Sequence, residues 1–110
     1  MEISVTDYKR VSVMKVAGRV DSTTAPDLEA ALKKLVEGDK SHLVLDLSGV
    51  DYMSSAGLRA MVTTLKAAKH VGGDLRLASP SPRVEEVLHL AGLSSIFTIH
   101  PSREEAVASF

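Results

Sequence analysis

Residues 50–58, Val-Asp-Tyr-Met-Ser-Ser-Ala-Gly-Leu, stand between a nearly unbroken apolar run, Leu43-Val-Leu-Asp-Leu47, and a segment whose apolar residues recur at helical spacing: Leu58, Met61, Val62, Leu65 and Ala68. The short run reads as a strand covered on both faces or near the middle of a sheet, and the three- and four-residue spacing as the buried stripe of a helix. Residues 50–58 are therefore a strand-to-helix junction carrying two hydroxyls, Ser54 and Ser55, with the helix beginning near Ala56. The first N–H groups of a helix lack intrahelical partners, and its aligned peptide dipoles favour negative charge at that end. A serine here can cap the helix, act as a nucleophile or carry a phosphate.

Working outward, Ile3 and Val5, then Val11, Val13 and Val16, alternate with polar residues and predict an N-terminal hairpin joined near Asp7 to Arg10. Gly18 and Asp21-Ser-Thr-Thr24 break the pattern, and Pro26 suits the first turn of a helix whose buried face is Leu28, Ala31, Leu32, Leu35 and Val36, ending at Gly38. Downstream, Gly72-Gly73 closes the helix that follows the junction, and Leu75, Leu77 and Ala78 form another strand. Ser81 caps a helix with Pro82 at its first position and Val84, Val87, Leu88 and Ala91 as its stripe, stopped by Gly92. Ile96 to Ile99 reads as a last short strand, and Ser102-Arg-Glu-Glu105 has capping-box spacing before Ala106, Val107 and Phe110.

Strands alternating with helices imply parallel pairing through right-handed crossovers. The expected architecture is a single α/β domain over residues 1–110: a small mixed, mainly parallel sheet with an N-terminal hairpin and about four helices. In such sheets the loops leaving the carboxyl ends of the strands share an edge where ligands bind. Gly18 to Thr24 and Asp51 to Gly57 would emerge there side by side, placing Asp21 and Ser55 on one surface.

Composition narrows the partners. Thirteen basic and fourteen acidic side chains, with no basic run longer than two, give no nucleic-acid footprint. The absence of cysteine excludes disulfides, thiol catalysis and cysteine-zinc sites. Met1-Glu-Ile-Ser-Val5 has neither a basic nor an apolar leader region, and no apolar run approaches the roughly 20 residues of a membrane span, so a cytoplasmic protein with no membrane partner is expected. His42, His70, His89 and His100 show no metal-ligand spacing, so neither metal nor cofactor is expected. Leu90, Leu93, Ile96 and Phe97 are assigned to core packing rather than to a partner patch.

Three chemistries compete at the junction. A nucleophile elbow has the layout strand, tight turn, helix with the pattern Gly-x-Ser-x-Gly, but Met53 occupies the first glycine, and only Asp74 with His89 or His100 could complete a triad. A small serine hydrolase is thus disfavoured. A phosphate acceptor needs only an exposed hydroxyl at the helix N-terminus, where an added charge of about −1.5 to −2 meets free N–H groups. Plain capping by Ser54 or Ser55 needs still less.

Val50 to Leu58 also resembles the signature of the STAS domains, specifically the stand-alone bacterial anti-sigma factor antagonists. Gly18-Arg-Val-Asp-Ser-Thr-Thr-Ala25 is similar to that family's loop after the second strand, and Gly72-Gly73 and Ala91-Gly92-Leu93 fall where similar segments occur. The resemblance implies a STAS-like β/α superhelix and a protein that works by binding rather than as an enzyme. Its implied partner is an anti-sigma factor serine kinase of the histidine-kinase-like ATPase fold, which releases a sigma factor on binding the antagonist. That kinase phosphorylates the antagonist to switch it off, and a PP2C-type phosphatase resets it. The acceptor implied is Ser55, two residues before Gly57, and the implied partner-binding surface comprises Asp21, Ser22, Thr23, Asp51, Ser54, Ala56 and Gly57. Many antagonists of that family have Asp-Ser-Ser-Gly or Asp-Ser-Thr-Gly; here Ser54 stands in place of the aspartate, which leaves it as an alternative acceptor. A STAS scaffold or accessory subunit of a transporter or stress complex is the other use of the fold that the resemblance allows.

Overall fold

A computed structural model describes residues 1–110. β1 (Glu2–Tyr8) and β2 (Val11–Val20) form the antiparallel hairpin, followed by α1 (Ala25–Glu37), β3 (His42–Met53), α2 (Ser55–His70), β4 (Asp74–Ala78), α3 (Pro82–Leu90), a 3₁₀ turn (Leu93–Ser95), β5 (Ile99–His100) and α4 (Arg103–Ala108). The hairpin turn is two residues long, since Tyr8 pairs with Val11, and its first residue, Lys9, takes φ 56°. Positive φ at that place lets a short turn follow the right-handed twist of the two strands.

The sheet has five strands in the order β1-β2-β3-β4-β5, with every pair after the hairpin parallel. Each crossover steps in the same direction, and a right-handed connection then always returns over the same face. α1, α2 and α3 accordingly share one face, where Leu28, Leu32, Met61, Val84 and Leu88 pack on Met14, Val16, Leu43, Leu45, Leu47, Leu75 and Leu77, all at most 1% exposed. α4 comes after the last strand and takes the opposite face, where Ala106 closes a smaller cluster with Val11, Val13, Val44 and Ala78. The two-sided burial expected of Leu43 to Leu47 follows: its leucines point into the large core, and Val44 and Asp46 point under α4.

Asp46 is 5% exposed, which is tolerable only because it is paired. Its Oδ1 accepts from the Ser48 N–H at 3.0 Å, and its Oδ2 accepts from Arg103 Nε and Nη2 at 3.0 and 2.8 Å. Burial pushes the carboxyl up, but the Ser48 N–H and hydroxyl together with Arg103 outweigh it and hold it below its ordinary 3.8. A carboxyl depressed on folding stabilises the native state above its unfolded value, and that contribution is lost as pH falls through the folded value. Asp46→Asn should therefore cost about 2 kcal/mol at pH 7 and lose less stability than the native chain below about pH 4. Urea unfolding at pH 7 and pH 3 measures both. Asp7 and Asp21 are depressed as well, so the acid slope should shrink rather than vanish.

Several boundaries differ from the sequence reading. Gly18 lies inside β2, at φ 99° and beside one of two slips in the β2–β3 register. Residues Asp51 to Met53 are still strand, and α2 starts at Ser55 rather than near Ala56. The last strand is Ile99–His100, because Leu93–Ser95 turn as a 3₁₀ helix. Ala91 is exposed as the C-cap of α3 instead of completing its stripe. Leu90 and Ile96, at 77% and 45% exposed, are not core; only Phe97 is buried, with Leu93 packed partly against the core. Gly72-Gly73 does terminate α2: Gly73 donates to Ala68 O at 2.8 Å and Gly72 to Lys69 O at 3.1 Å, the paired bonds of a Schellman end.

Candidate functional site

Along β3, pairing with β4 covers only His42 to Asp46, whereas the β2–β3 ladder runs on to Val20 opposite Met53. The carboxyl ends of β2 and β3 thus project beyond the rest of the sheet as a two-stranded extension, and both candidate loops sit at its tip. Ser54 N–H donates to Val20 O at 2.8 Å, tying the tip of one strand to the start of the other's helix. Asp21 and the Ser54-Ser55 pair are neighbours, as the parallel reading required.

Each loop is held by its own polar side chains. Asp21 Oδ1 accepts from the N–H groups of Thr23 and Thr24 at 3.0 and 3.1 Å, and Thr24 Oγ1 accepts from the Asp21 N–H at 2.9 Å while donating to Arg19 O at 3.0 Å. The Thr24 and Thr23 amides, with Arg19 nearby, hold the Asp21 carboxyl below the usual range, so it is ionised throughout neutral pH. Arg19 stands 3.7 Å from Asp21 Oδ2 and lies over the Tyr52 ring at 4.2 Å, across the directly paired positions of β2 and β3. Asp51, exposed on β3, has no ion-pair partner.

The two serines do different things. Ser54 is the N-cap of α2: its backbone is extended, at φ −88° and ψ 170°, and its Oγ accepts from the Gly57 N–H at 3.3 Å. Ser55 is the first helical residue, exposed, and its hydroxyl makes no hydrogen bond within the chain. The position at which the resemblance implies an aspartate is therefore the cap, and aspartate and serine are about equally good caps. Ser54→Ala should cost about 1 kcal/mol, lowering the melting temperature by roughly 5 °C. Ser54→Asp should hold or raise stability by a few tenths of a kcal/mol, since the first turn of α2 has no acidic residue to meet its dipole. Calorimetric melting of the two variants separates them.

Of the residues expected on a partner surface, Ser22, Thr23 and Asp51 are exposed, and Asp21, Ser54 and Ala56 are partly so. Gly57 is buried, and a Cβ there would come 2.4 Å from Met53 Sδ and 2.6 Å from Val20 Cγ1. Its work is to let α2 approach the strand ends. The structure brings no triad to Ser55. Asp74 opens β4 at the opposite end of the sheet and pairs with Arg76 at 3.0 Å, and His89 Nδ1 lies 3.4 Å from Ser94 Oγ. His100 ends β5, opposite Ala78 and hence level with Asp46, seven residues short of Met53. Arg19, Tyr52 and, one helical turn after Ser55, Arg59 also stand at this edge without having been singled out from the sequence. Arg59 was readable from its spacing; the Arg19–Tyr52 contact needed the strand register.

Comparison with known proteins adds the following. A family model for the STAS domain matches residues 2–106. BtrV of Bordetella bronchiseptica, a protein assigned to the anti-sigma factor antagonists, is 37% identical over 110 residues, covering 100% of this chain and 95% of its own. The anti-sigma-F factor antagonist RsfB of Mycobacterium tuberculosis is 27% identical, covering 96% and 85%. A crystal structure of an assigned anti-sigma factor antagonist from Thermotoga maritima superposes with a TM-score of 0.92 at 24% identity, covering 97% of this chain and 92% of its own, a likeness of fold.

Proposed function

The chain belongs to the STAS domain family, and from that premise we propose that it is an anti-sigma factor antagonist switched off by phosphorylation of Ser55. Its partner is an anti-sigma factor serine kinase of the histidine-kinase-like ATPase fold, and docking of the antagonist frees a sigma factor. The protein acts by binding, not by catalysis of its own. The observation that carries this reading is the division of labour at the head of α2: Ser54 is occupied as the cap, whereas Ser55 is exposed with an uncommitted hydroxyl.

In the switching step the Ser55 Oγ attacks the γ-phosphorus of ATP bound to the kinase. A new O–P bond forms, the bond to ADP breaks, and the hydroxyl proton passes to a base of the kinase. The product carries about −1.5 to −2 charge at a helix N-terminus, which free N–H groups and the dipole accommodate, so the fold persists. What changes is the edge. Asp21 is already ionised beside it and Asp51 lies on the adjoining strand, so the phosphate deepens a negative field where the kinase docks. A PP2C-type phosphatase resets the protein by adding water to phosphorus and restoring the hydroxyl.

The test is incubation with the kinase and ATP followed by mapping of the phosphate by mass spectrometry. Modification at Ser55 is expected. Modification confined to Ser54, or none, would overturn the assignment.

A further inference from the structure

Arg59 lies four residues after Ser55 within α2, which places the two side chains one above the other on one face, with roughly 5–6 Å between their Cβ atoms. It is exposed and enters none of the four ion pairs of the molecule. Arg19, Arg76 and Arg103 each have a carboxylate; Arg59 has none, as is true of Arg10 in the hairpin turn and Arg83 on α3. It is also the only charged residue in the first two turns of α2. With Ser22 from the β2–α1 loop, Glu29 from α1 and Ala56, the residue next to Ser55, it lines a groove of about 300 Å³ between the two helices.

We propose that Arg59 is the resident counter-charge for a phosphate on Ser55, folding back one turn to hold the phosphoserine against α2. This rests on the reading of Ser55 as the switch. An unpartnered guanidinium has no existing ion pair to surrender, and its planar fork meets two phosphate oxygens at once. The order along the helix is the favourable one, with the anion nearer the N-terminus and the cation nearer the C-terminus. The other charged groups around the site are Glu29 on α1, Asp21 on the loop with Arg19 of β2 beside it, and Asp51 on β3. Three of these four are carboxylates that repel a phosphate, so Arg59 is the free cation available to it. Arg59 is thus a positioning residue: it fixes where the added charge sits on the docking edge.

Phosphoserine can be placed at position 55 during translation of the full chain, without any kinase, in the native sequence and in Arg59→Ala, Arg59→Gln and Arg59→Lys. The probe is the phosphorus NMR signal, titrated with pH. The second ionisation of the phosphate should lie about half a unit lower in the native sequence than in Arg59→Ala or Arg59→Gln. Arg59→Lys should recover part of the gap, and 1 M salt should close most of it. Coincident titrations of the native and Arg59→Ala proteins would overturn the proposal. So would a gap that lysine does not narrow and salt does not touch, because that belongs to helix packing. Coincident curves leave the Ser55 switch standing, whereas failure of the kinase to modify Ser55 removes the switch without altering the titration gap.

Discussion

Ser55→Ala is expected to bind the anti-sigma factor kinase as tightly as the native chain and to stay bound when ATP is added. The substitution removes a hydroxyl that bonds to nothing in the chain, at an exposed first helical position where alanine is at least as favourable as serine. Folding should be unaffected, in contrast to the loss expected at Ser54. Without an acceptor the kinase cannot add charge, and the sigma factor should remain free. The phosphorylated native chain should bind roughly 100-fold more weakly, about 2.7 kcal/mol, as juxtaposed like charge at a docked edge warrants. Ser55→Glu carries a single, differently shaped charge and should lose about tenfold. Titration calorimetry of the kinase with each form measures all three. Equal affinity for Ser55→Ala and Ser55→Glu would sink the charge mechanism.

Gly57→Val is expected to be the most damaging single change at the site, destabilising the fold by about 3 kcal/mol or more and lowering the melting temperature by roughly 15 °C. Alanine for glycine inside a helix would ordinarily gain close to 1 kcal/mol. Here any Cβ meets Met53 and Val20, 4% and 0% exposed. Met53 is flexible enough to swing its sulfur aside, but the β-branched Val20 is not. Gly57→Ala should therefore be destabilising by about 1 kcal/mol, against its helix propensity. Combining it with Val20→Ala should cost less than the sum of the two single changes, because the second relieves the clash made by the first. Additive losses in urea unfolding would show that the packing at Val20 is not what demands glycine.

The order of strands and helices was legible because each helix has a clear apolar stripe and each crossover lies between turn residues. The site was legible as a place, since parallel strands put Asp21 and Ser55 on one edge whatever their lengths. The extents were not. Ser48, Gly49 and Asp51 look like a loop in sequence, yet they continue β3, because the ladder with β2 runs on through Gly49, Val50, Tyr52 and Met53, takes up Ser48 and Asp51 at its register slips, and has no second neighbour to exclude polar residues. Gly18 reads as a strand breaker when its positive φ instead absorbs a slip in the ladder. The roles of Ser54 and Ser55 could not be divided from residue type, as either hydroxyl can cap; a single hydrogen bond to the Gly57 N–H divides them. Leu90 and Ile96 look like core by composition, but Leu90 ends α3 off the face that buries Val84 and Leu88, and Ile96 caps the 3₁₀ turn, so both stay exposed.

The two-stranded extension of β2 and β3 also ranks the stability of the parts of the molecule. Elsewhere a central strand is braced by hydrogen bonds on both edges, so opening it means dismantling the sheet. Beyond Asp46, β3 loses β4 as a neighbour, and what holds the tip, besides its ladder with β2, is the packing of Val20, Val50 and Met53 in the cluster that includes Leu58 of α2. The free energy of local opening there is set by one ladder and a few side chains instead of by the global fold. The proposed switch residue heads the helix that leaves this tip, where a docking partner meets little native structure to work against.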